Sequence, residues 1–334
     1  MSSQKIGVIV AQVGTPEAPT KKALYPYLKK FLSDDRMIDA PRWVWLPILH
    51  GIILRTRPAK IAKHYADIWT RRGSPLLDMS QKQVAGIQKR LGKNFDVVLG
   101  FAYVEPSMES AMEHFEKQGI SRIIVLPMFP QYSTTTTASI YDEIMLHALG
   151  RKKRGGKPVK KYSPALSFIP PFYDDKEYIK ILATNLKKQI AKLKHKPSRI
   201  MISYHGIPKR YAEEGDPYPQ QCDETTKQLV KAMGWKDGYY MQTYQSRFGR
   251  AEWLQPYTQV ELPEWVKAGE EYPYIVSPGF TTDCLETIHE LGMEAEELIE
   301  EAGGNPASLQ RAHCLNDDPV WLDYLAQKIK NIAG

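Results

Sequence analysis

The sequence is poor in cysteine, and none of its cysteines are paired in a recognisable motif. Its 334 residues include only three cysteines, Cys222, Cys284 and Cys314. No two of them form a CxxC pair, which excludes a zinc ribbon or a four-cysteine iron–sulfur cluster built from cysteine alone. Such scattered cysteines also argue against a disulfide framework, so we expect a reducing compartment, the cytoplasm.

Long hydrophobic runs are missing as well. Ile6–Gln12 is short and leads directly into Gly14 without a cleavage site, so it predicts a buried strand rather than a signal peptide. Trp43–Leu54 is too short to span a bilayer and is interrupted by Pro47 and Gly51. Its amphipathic character predicts peripheral contact with a membrane surface.

Charge of one sign is not strongly in excess. Lys and Arg number 45 against 38 Asp and Glu, a formal net charge of +7. This mild excess fits an acidic ligand, an anionic surface or nucleic acid, or serves only solubility. Hydrophobic residues at 43% and charged residues at 25% are typical of a globular protein and exclude a mainly disordered, collagen-like or coiled-coil chain.

What the sequence does contain is an alternation of short β-branched runs with longer amphipathic segments. The predicted strands are Ile6–Gln12, Phe95–Phe101, Arg122–Met128, Ile200–His205, Tyr239–Gln245 and Tyr274–Ser277. The predicted helices are Lys60–Trp69, Met79–Leu91, Pro106–Lys117, Ser139–Leu149, Lys176–Leu193 and Cys222–Met233. Near-continuous apolar strands separated by helices favour an α/β fold with doubly wound parallel sheets.

The alternation occurs twice, and at about 150 residues per domain the length also favours two domains. We assign residues 1–165 to an N-terminal domain and residues 166–315 to a C-terminal domain. The helix at 316–334 is expected to join the first domain. The basic stretch Arg151–Lys161, punctuated by Gly and Pro, is the candidate linker. It is typical of a solvated loop, and a patch for anionic lipid or nucleic acid is the alternative.

Nucleotide-binding motifs are absent. Gly14-Thr-Pro16 is not a GxGxxG turn, and Gly155-Gly-Lys-Pro158 is not a Walker loop. Ligands of doubly wound sheets bind outside the carboxyl ends of the strands, so the residues that follow each predicted strand are the candidates.

A histidine ends one predicted strand. His205 closes Ile200–His205 and is followed by Gly206-Ile-Pro208, which forces a turn. Its ordinary pKa lies near neutrality, so it can accept a proton or coordinate a divalent metal. A hydrogen-bonded core histidine is the alternative interpretation.

An acidic series follows another predicted strand. Glu286, Glu290 and Glu294 are spaced i, i+4 and i+8, which places them on one face of an α-helix that Thr282 or Asp283 could cap. Carboxylates beside a cleft suit transient binding of hard or borderline cations. A solvated acidic face is the alternative.

Two further segments follow strands. The hydroxyl run Ser133–Thr137 can cap a helix and leave free N–H groups for an anion such as a carboxylate. The segment Thr243–Thr258 interleaves aromatic residues with arginines, a mixture that stacks on a flat conjugated ligand and pairs with its acids, or stacks on nucleobases.

Together these motifs resemble the ferrochelatase family. The likeness runs through the whole chain in order, in the strings Val13-Gly-Thr-Pro16, Phe129-Pro-Gln-Tyr-Ser133, Ser203-Tyr-His-Gly-Ile-Pro208, Tyr244-Gln-Ser-Arg-Phe-Gly249 and Pro278-Gly-Phe-Thr-Thr-Asp-Cys-Leu-Glu-Thr287. The sequence is most similar to the proteobacterial protoporphyrin type, because Trp43–Leu54 matches the apolar cleft lip of that group.

The resemblance implies two Rossmann-like domains and a lyase that inserts ferrous iron into protoporphyrin IX to give protohaem, the last step of haem biosynthesis. It implies no nucleic-acid partner and no tightly bound cofactor. Because the C-terminal cysteine motif of cluster-bearing relatives is missing, no iron–sulfur centre is expected.

The resemblance also implies residue roles. His205 matches the active-site histidine, as proton acceptor or metal ligand, and Glu286 matches the essential glutamate on the opposite wall. The acidic positions on a metal or proton route are Asp283, Glu290 and Glu294. The porphyrin-binding positions are Tyr103, Trp253, Phe280, Ser133 and Arg57, the last of which would face a propionate at the pocket mouth.

Three positions depart from the family pattern. Ala102 stands where many relatives carry Arg or Lys, and Val13 where some carry Tyr or Met. Cys284 replaces a histidine that is common beside the aspartate, and His289 is a partial substitute for it.

Three other functions are consistent with parts of the pattern. A related chelatase would insert cobalt into a more polar tetrapyrrole, and a close relative would use coproporphyrin. The apolar lip argues against both. A catalytically silent porphyrin- or haem-binding protein is the third, and the intact His205 and Glu286 argue against it.

Overall fold

The computed structural model describes residues 5–150 and 160–334, which fold as two α/β units. The first unit falls in the ranges 1–129, 133–171 and 317–334, and the second in 130–132 and 172–316. Most of the predicted linker, residues 151–159, lies outside the described residues. No helix in the described ranges has the length and hydropathy needed to cross a membrane.

The first unit is built around a parallel sheet with the strand order β2-β1-β3-β4. Its strands are β1 (Ile6–Gln12), β2 (Phe95–Phe101), β3 (Arg122–Pro127) and β4 (Ala165–Phe168). Its helices are α1 (Lys21–Leu32), α2 (Arg42–Ile48), α3 (Leu54–Ile68), α4 (Pro75–Leu91), α5 (Met108–Lys117) and α6 (Ser139–Leu149). Strand β1 is central, since Val8 pairs with Val97 on one side and Ile124 on the other.

The core of this unit explains why β1 is an almost unbroken apolar run. Ile9 and Val125 from the sheet pack with Phe115 of α5 and Ile144 of α6, and all four side chains are buried. At Gly7 a Cβ atom would lie 2.9 Å from the Phe115 ring, so this close approach of strand and helix requires glycine.

The second unit repeats the arrangement with the strand order β6-β5-β7-β8, again all parallel. In chain order its elements are α7 (Lys176–Ile190), β5 (Arg199–His205), α8 (Lys209–Glu213), α9 (Tyr218–Met233), β6 (Tyr240–Gln245), α10 (Thr258–Lys267), β7 (Pro273–Val276), α11 (Ala295–Glu301) and β8 (Gln310–Arg311). The chain then forms α12 (Pro319–Ala333), which packs against α4 of the first unit.

Among the described residues, π-helical segments occur at Leu49–Ile53, Thr134–Ala138 and Glu286–Glu294. In a π-helix each backbone bond joins residues five apart instead of four. The third segment is nine residues long and precedes α11. Leu291 of this segment is buried against Ile275 and Trp265, which holds the helix on the sheet.

The predicted fold class is confirmed, and the predicted strands begin and end within one residue of the observed ones. The pattern does not predict α1 or α10, because each contains an internal proline, Pro26 and Pro263. It also does not predict β4 or β8, which are short edge strands with few buried side chains.

Replacement of Phe115 by alanine should destabilise the first unit by about 3–5 kcal/mol, because a fully buried ring is replaced by a cavity. Urea unfolding followed by circular dichroism measures the shift. Val320→Ala, at a half-exposed position of α12, is the control and should change stability by about 0.5 kcal/mol or less. Equal midpoints for the two variants would contradict this account of the core.

Candidate active site

Two neighbouring strands of the second unit end side by side at the carboxyl edge of its sheet. Their register places His205, the last residue of β5, opposite Gln245, the last residue of β6. The next residue, Gly206, donates its backbone N–H to the Gln245 carbonyl at 2.9 Å. A Cβ atom at Gly206 would lie 2.9 Å from that carbonyl oxygen and 3.2 Å from the Trp253 ring, so the turn requires glycine.

The tautomer of His205 follows from its backbone contact. Its Nδ1 lies 2.6 Å from the carbonyl oxygen of Gly206. Because a carbonyl only accepts hydrogen bonds, Nδ1 carries the proton and Nε2 keeps a lone pair. The ring is half-buried, with the Trp253 ring centroid 6.4 Å away.

Gln245 connects this strand edge to the acidic π-helix. Its side chain is buried, and its Oε1 accepts a hydrogen bond from Ser203 Oγ at 3.0 Å. Its Nε2 donates to the Glu286 carbonyl at 3.2 Å and to Glu290 Oε2 at 3.1 Å. Because the Glu286 carbonyl and the Glu290 carboxylate are acceptors, the amide nitrogen faces them and the amide oxygen faces Ser203, so the Thr258 hydroxyl 2.8 Å from Ser203 is its donor.

Both carboxylate oxygens of Glu290 are held. Besides Gln245, the hydroxyl of Ser246 donates to Oε2, and Gln259 Nε2 donates to Oε1 at 3.0 Å. Ser246 has a left-handed backbone, with φ of 66°. Burial raises the pKa of Glu290, while Ser246, the charge of a protonated His205 and Gln245 act in the opposite direction.

The Asp283 carboxylate is buried and saturated with donors. Although burial opposes it, hydrogen bonds and the Arg311 charge hold the pKa of Asp283 well below its usual range. Its partners are Arg311 Nη1 at 3.0 Å, Asn316 Nδ2 at 2.7 Å, Thr287 Oγ1 at 2.9 Å and His313 Nδ1 at 3.5 Å. The position of Asp283 in the sequence predicts that its side chain caps a helix. The structure shows that the carboxylate binds these side chains instead.

Glu294 is also paired. Its Oε1 lies 3.2 Å from Nδ1 of His289, five residues earlier. That spacing brings two side chains together in a π-helix, whereas an α-helix would align residues four apart. The expected i, i+4, i+8 stripe is consequently replaced by acids with different partners.

Glu286 differs from the other three acids. Its backbone carbonyl is bound by Gln245, while its carboxylate is bound by the thiol of Cys284 and repelled by the like charge of Glu290. Burial raises the pKa of that thiol, and the nearby Glu286 charge adds to the effect. Glu286 is thus the half-buried carboxylate of the π-helix with lone pairs left for a ligand.

Tyr103, a porphyrin-binding position by the family resemblance, lies in the first unit. It is buried, its hydroxyl donates to Asp34 Oδ2 at 2.8 Å, and burial raises its pKa far above the usual range. Ala102 beside it is buried as well. A cavity of about 390 Å³ adjoins the hydrogen-bonded pair of Tyr103 and Asp34. The residues that line it are Pro26, Lys29, Lys30, Ser33, Asp34, Tyr103 and Glu143.

The remaining predicted residues are divided between the units. Arg57 lies half-buried on α3, and burial lowers its pKa. Ser133 is buried and caps the π-helix Thr134–Ala138, accepting from the Thr135 N–H at 3.2 Å. Phe280 lies half-buried in the turn after β7 in the second unit.

The structure therefore gathers His205, Glu286, Glu290 and Trp253 in the second unit. Sequence reasoning did not select Gln245 and Gln259, the amides that hold the acids. Gln245 ends a predicted strand, as His205 does, and that position is the signal that could have found it. Tyr244, expected among the stacking aromatics, is buried and belongs to the core.

A family profile and curated relatives match nearly the whole length of the chain. The profile of the family described as Ferrochelatase matches residues 5–332. The chain is 40% identical to the ferrochelatase of Enterobacter sp. (strain 638), over 98% of this chain and 99% of that protein. It is 42% identical to the ferrochelatase of Vibrio parahaemolyticus, over 99% of both.

A solved structure with a related fold is SirB from Bacillus subtilis with Fe3+. It has a TM-score of 0.53 and 17% identity, and the match covers 78% of this chain and 92% of that one. This likeness concerns the fold alone. The family profile and the two curated relatives carry the assignment, and by them the chain belongs to the ferrochelatase family, enzymes that insert iron during haem biosynthesis.

Proposed function

We propose that this ferrochelatase inserts Fe(II) into protoporphyrin IX with His205 as the proton acceptor and Glu286 as the carboxylate that meets the metal. The observation that carries the proposal is the Gln245 bridge, which ties the strand end bearing His205 to the helix bearing Glu286. The two groups belong to distant parts of the sequence, and this bridge fixes them in one framework.

The reaction requires a base. A free-base porphyrin carries two pyrrole N–H protons at its centre, and both must leave before the metal is bound by four nitrogens. His205 Nε2 has the lone pair for this, because Nδ1 is committed to the Gly206 carbonyl. The charge of a protonated His205 lowers the pKa of Glu290, so the two groups interact electrostatically, and this supports the role of proton acceptor over that of metal ligand.

The metal must exchange water for ring nitrogens. A carboxylate with available lone pairs is a suitable transient ligand for a hydrated Fe(II) ion. Glu286 fits this description, whereas Asp283 and Glu290 already accept several hydrogen bonds. Glu290 is then a carboxylate that receives protons, and Glu294, paired with His289, lies further along the helix.

We propose further that the apolar lip, defined as residues Trp43–Leu54, contacts a membrane surface. Trp43 is 81% exposed and Ile52 62% exposed, while Leu49 and Ile53 are buried. The lip thus presents apolar side chains to solvent on one face and to the protein on the other.

The apolar lip also bears on the choice of substrate. Protoporphyrin IX is a hydrophobic porphyrin with only two carboxylates, and such surroundings favour it over coproporphyrin.

We also propose that the enzyme works without a resident cofactor. Cys222, Cys284 and Cys314 are all buried, and burial raises the pKa of each thiol. Buried neutral thiols are poor ligands for an iron–sulfur cluster, because metals bind the thiolate.

The wild-type protein should convert protoporphyrin IX to its metal complex during anaerobic incubation with Fe(II) or Zn(II), followed by absorbance. His205→Ala should lower kcat by about 100-fold or more, the range for loss of a general base. Porphyrin binding, measured by fluorescence quenching, should change little. The exposed His195→Ala is the control. An unchanged free-base spectrum with the wild type, or equal losses of binding and turnover in His205→Ala, would contradict the proposal.

Glu286→Gln and Glu294→Gln form a matched pair on one helix. The first should lower kcat by about 100-fold, since it removes the carboxylate proposed to meet the metal, and the second by about threefold or less. Steady-state kinetics with varied metal concentration measures both. A larger loss of kcat in Glu294→Gln than in Glu286→Gln would show that Glu286 is not the carboxylate that meets the metal.

The double variant Trp43→Asp/Ile52→Asp should reduce binding to vesicles of phosphatidylglycerol and phosphatidylethanolamine by about tenfold, because two exposed apolar side chains become charged. Co-sedimentation measures the bound fraction, and thermal unfolding should change little. Val260→Asp, at an exposed apolar position of α10, is the control. Unaltered co-sedimentation of the double variant would refute membrane contact through the lip.

A further inference from the structure

We propose that Asp283, Thr287, Arg311 and Asn316 form a clamp that sets where the π-helix Glu286–Glu294 begins, and that they act as positioning residues for metal insertion. The inference rests on the proposed role of Glu286. In this proposal Asp283 holds the helix in place and does not carry metal ions or protons. All four residues belong to the second unit.

The first half of the clamp is a reciprocal pair of hydrogen bonds between Asp283 and Asn316. The Asp283 backbone N–H donates to Asn316 Oδ1 at 2.9 Å, and Asn316 Nδ2 donates to Asp283 Oδ2 at 2.7 Å. The Asn316 backbone N–H also donates to the Thr281 carbonyl at 2.9 Å. Asn316 has φ of 49°, a left-handed conformation that asparagine tolerates better than most residues.

The second half is an ion pair delivered by the edge strand β8. Arg311 Nη1 lies 3.0 Å from Asp283 Oδ1, and both side chains are largely buried. Strand β8 pairs with β7, where Ile275 lies opposite Arg311, and the Ala312 N–H donates to the Ile275 carbonyl. The loop that leaves β7 is therefore held by the strand next to β7.

Thr287 transmits this anchorage to the helix. Its hydroxyl donates to Asp283 Oδ1 at 2.9 Å and accepts from the Cys284 N–H at 3.0 Å. Leu285, which precedes the π-helix, offers no side-chain cap. The Thr287 hydroxyl instead binds the N–H of Cys284 just before the helix, and Thr287 directly follows Glu286, so the anchor lies beside the carboxylate proposed to meet the metal.

Both carboxylate oxygens of Asp283 are bound within the clamp. Oδ1 accepts from Arg311 and Thr287, and Oδ2 accepts from Asn316 with His313 3.5 Å away. A buried carboxylate saturated in this way is costly to disturb, because loss of one partner leaves buried polar groups without hydrogen bonds. Asp283 thus fixes geometry, and the neighbouring Glu286 keeps its lone pairs for the metal.

The test compares Thr287→Val, which keeps the side-chain shape and removes the hydroxyl, with Thr287→Ser, which restores it. Thr287→Val should lower kcat by about tenfold with KM for porphyrin within about twofold, and Thr287→Ser should recover most of the loss. Thr225→Val is the matched control, a buried threonine of α9 whose hydroxyl oxygen lies 2.8 Å from the Tyr173 carbonyl oxygen and 3.0 Å from that of Gln221. Thr225→Val should leave kcat within about twofold of the wild type, even if it lowers the melting temperature as much as Thr287→Val does.

A second variant covers the case in which Thr287→Val fails to fold. Asn316→Gly keeps access to the left-handed backbone and removes both side-chain bonds, so it should lower kcat by about tenfold in the same manner. The Asn305→Gly control removes an exposed cap of the short 3₁₀ turn Pro306–Ser308 and should not affect turnover.

Two outcomes would overturn the clamp. One is wild-type kcat in folded Thr287→Val or Asn316→Gly while Glu286→Gln is impaired. The other is an equal loss of kcat in Thr225→Val at equal stability, which would indicate a general structural effect. Failure of the proposed function is recognised separately, because Glu286→Gln would then turn over like the wild type.

Discussion

One buried amide, that of Gln245, connects the strand end that bears His205 to the helix that bears Glu286. Gln245 receives a hydrogen bond from the sheet through Ser203 and donates two to the π-helix, so its position depends on both elements. A buried polar network with all its members satisfied specifies one arrangement, because any other leaves polar groups unpaired in a region of low dielectric. The distance between the strand that ends in His205 and the helix that bears Glu286 is fixed by this connection.

Four acids lie within twelve residues of sequence, yet their surroundings give them four different states. Asp283 is held ionised by buried donors, Glu290 has a pKa raised by burial, Glu294 is paired with an imidazole and Glu286 has few partners. The same chemical group can thus anchor a loop, take up protons or meet a metal. Their chemistry is assigned by partners that come from other segments of the unit.

Much of the framework could be predicted from the sequence, because it depends on local patterns. Apolar β-branched runs located the central strands, and the turn after Ile200–Tyr204 located His205 at a strand end. The family strings located Glu286. The π-helix was beyond such reasoning, since the spacing of Glu286, Glu290 and Glu294 fits an α-helix equally well. The partners of Asp283 and Glu290 were also beyond it, because Arg311, Asn316 and Gln259 are distant in sequence and look like ordinary surface polar residues.

The nine-residue π-helix has a consequence for how this segment tolerates changes in length. A π-helix holds more residues in each turn than an α-helix does. Removal of one residue would therefore let the segment relax into the commoner α-helical form. Every side chain after the deletion would then rotate around the axis, and Glu290 would leave the reach of the Gln259 amide. A substitution changes one side chain of this helix, whereas a gain or loss of a single residue would rearrange the whole acidic face.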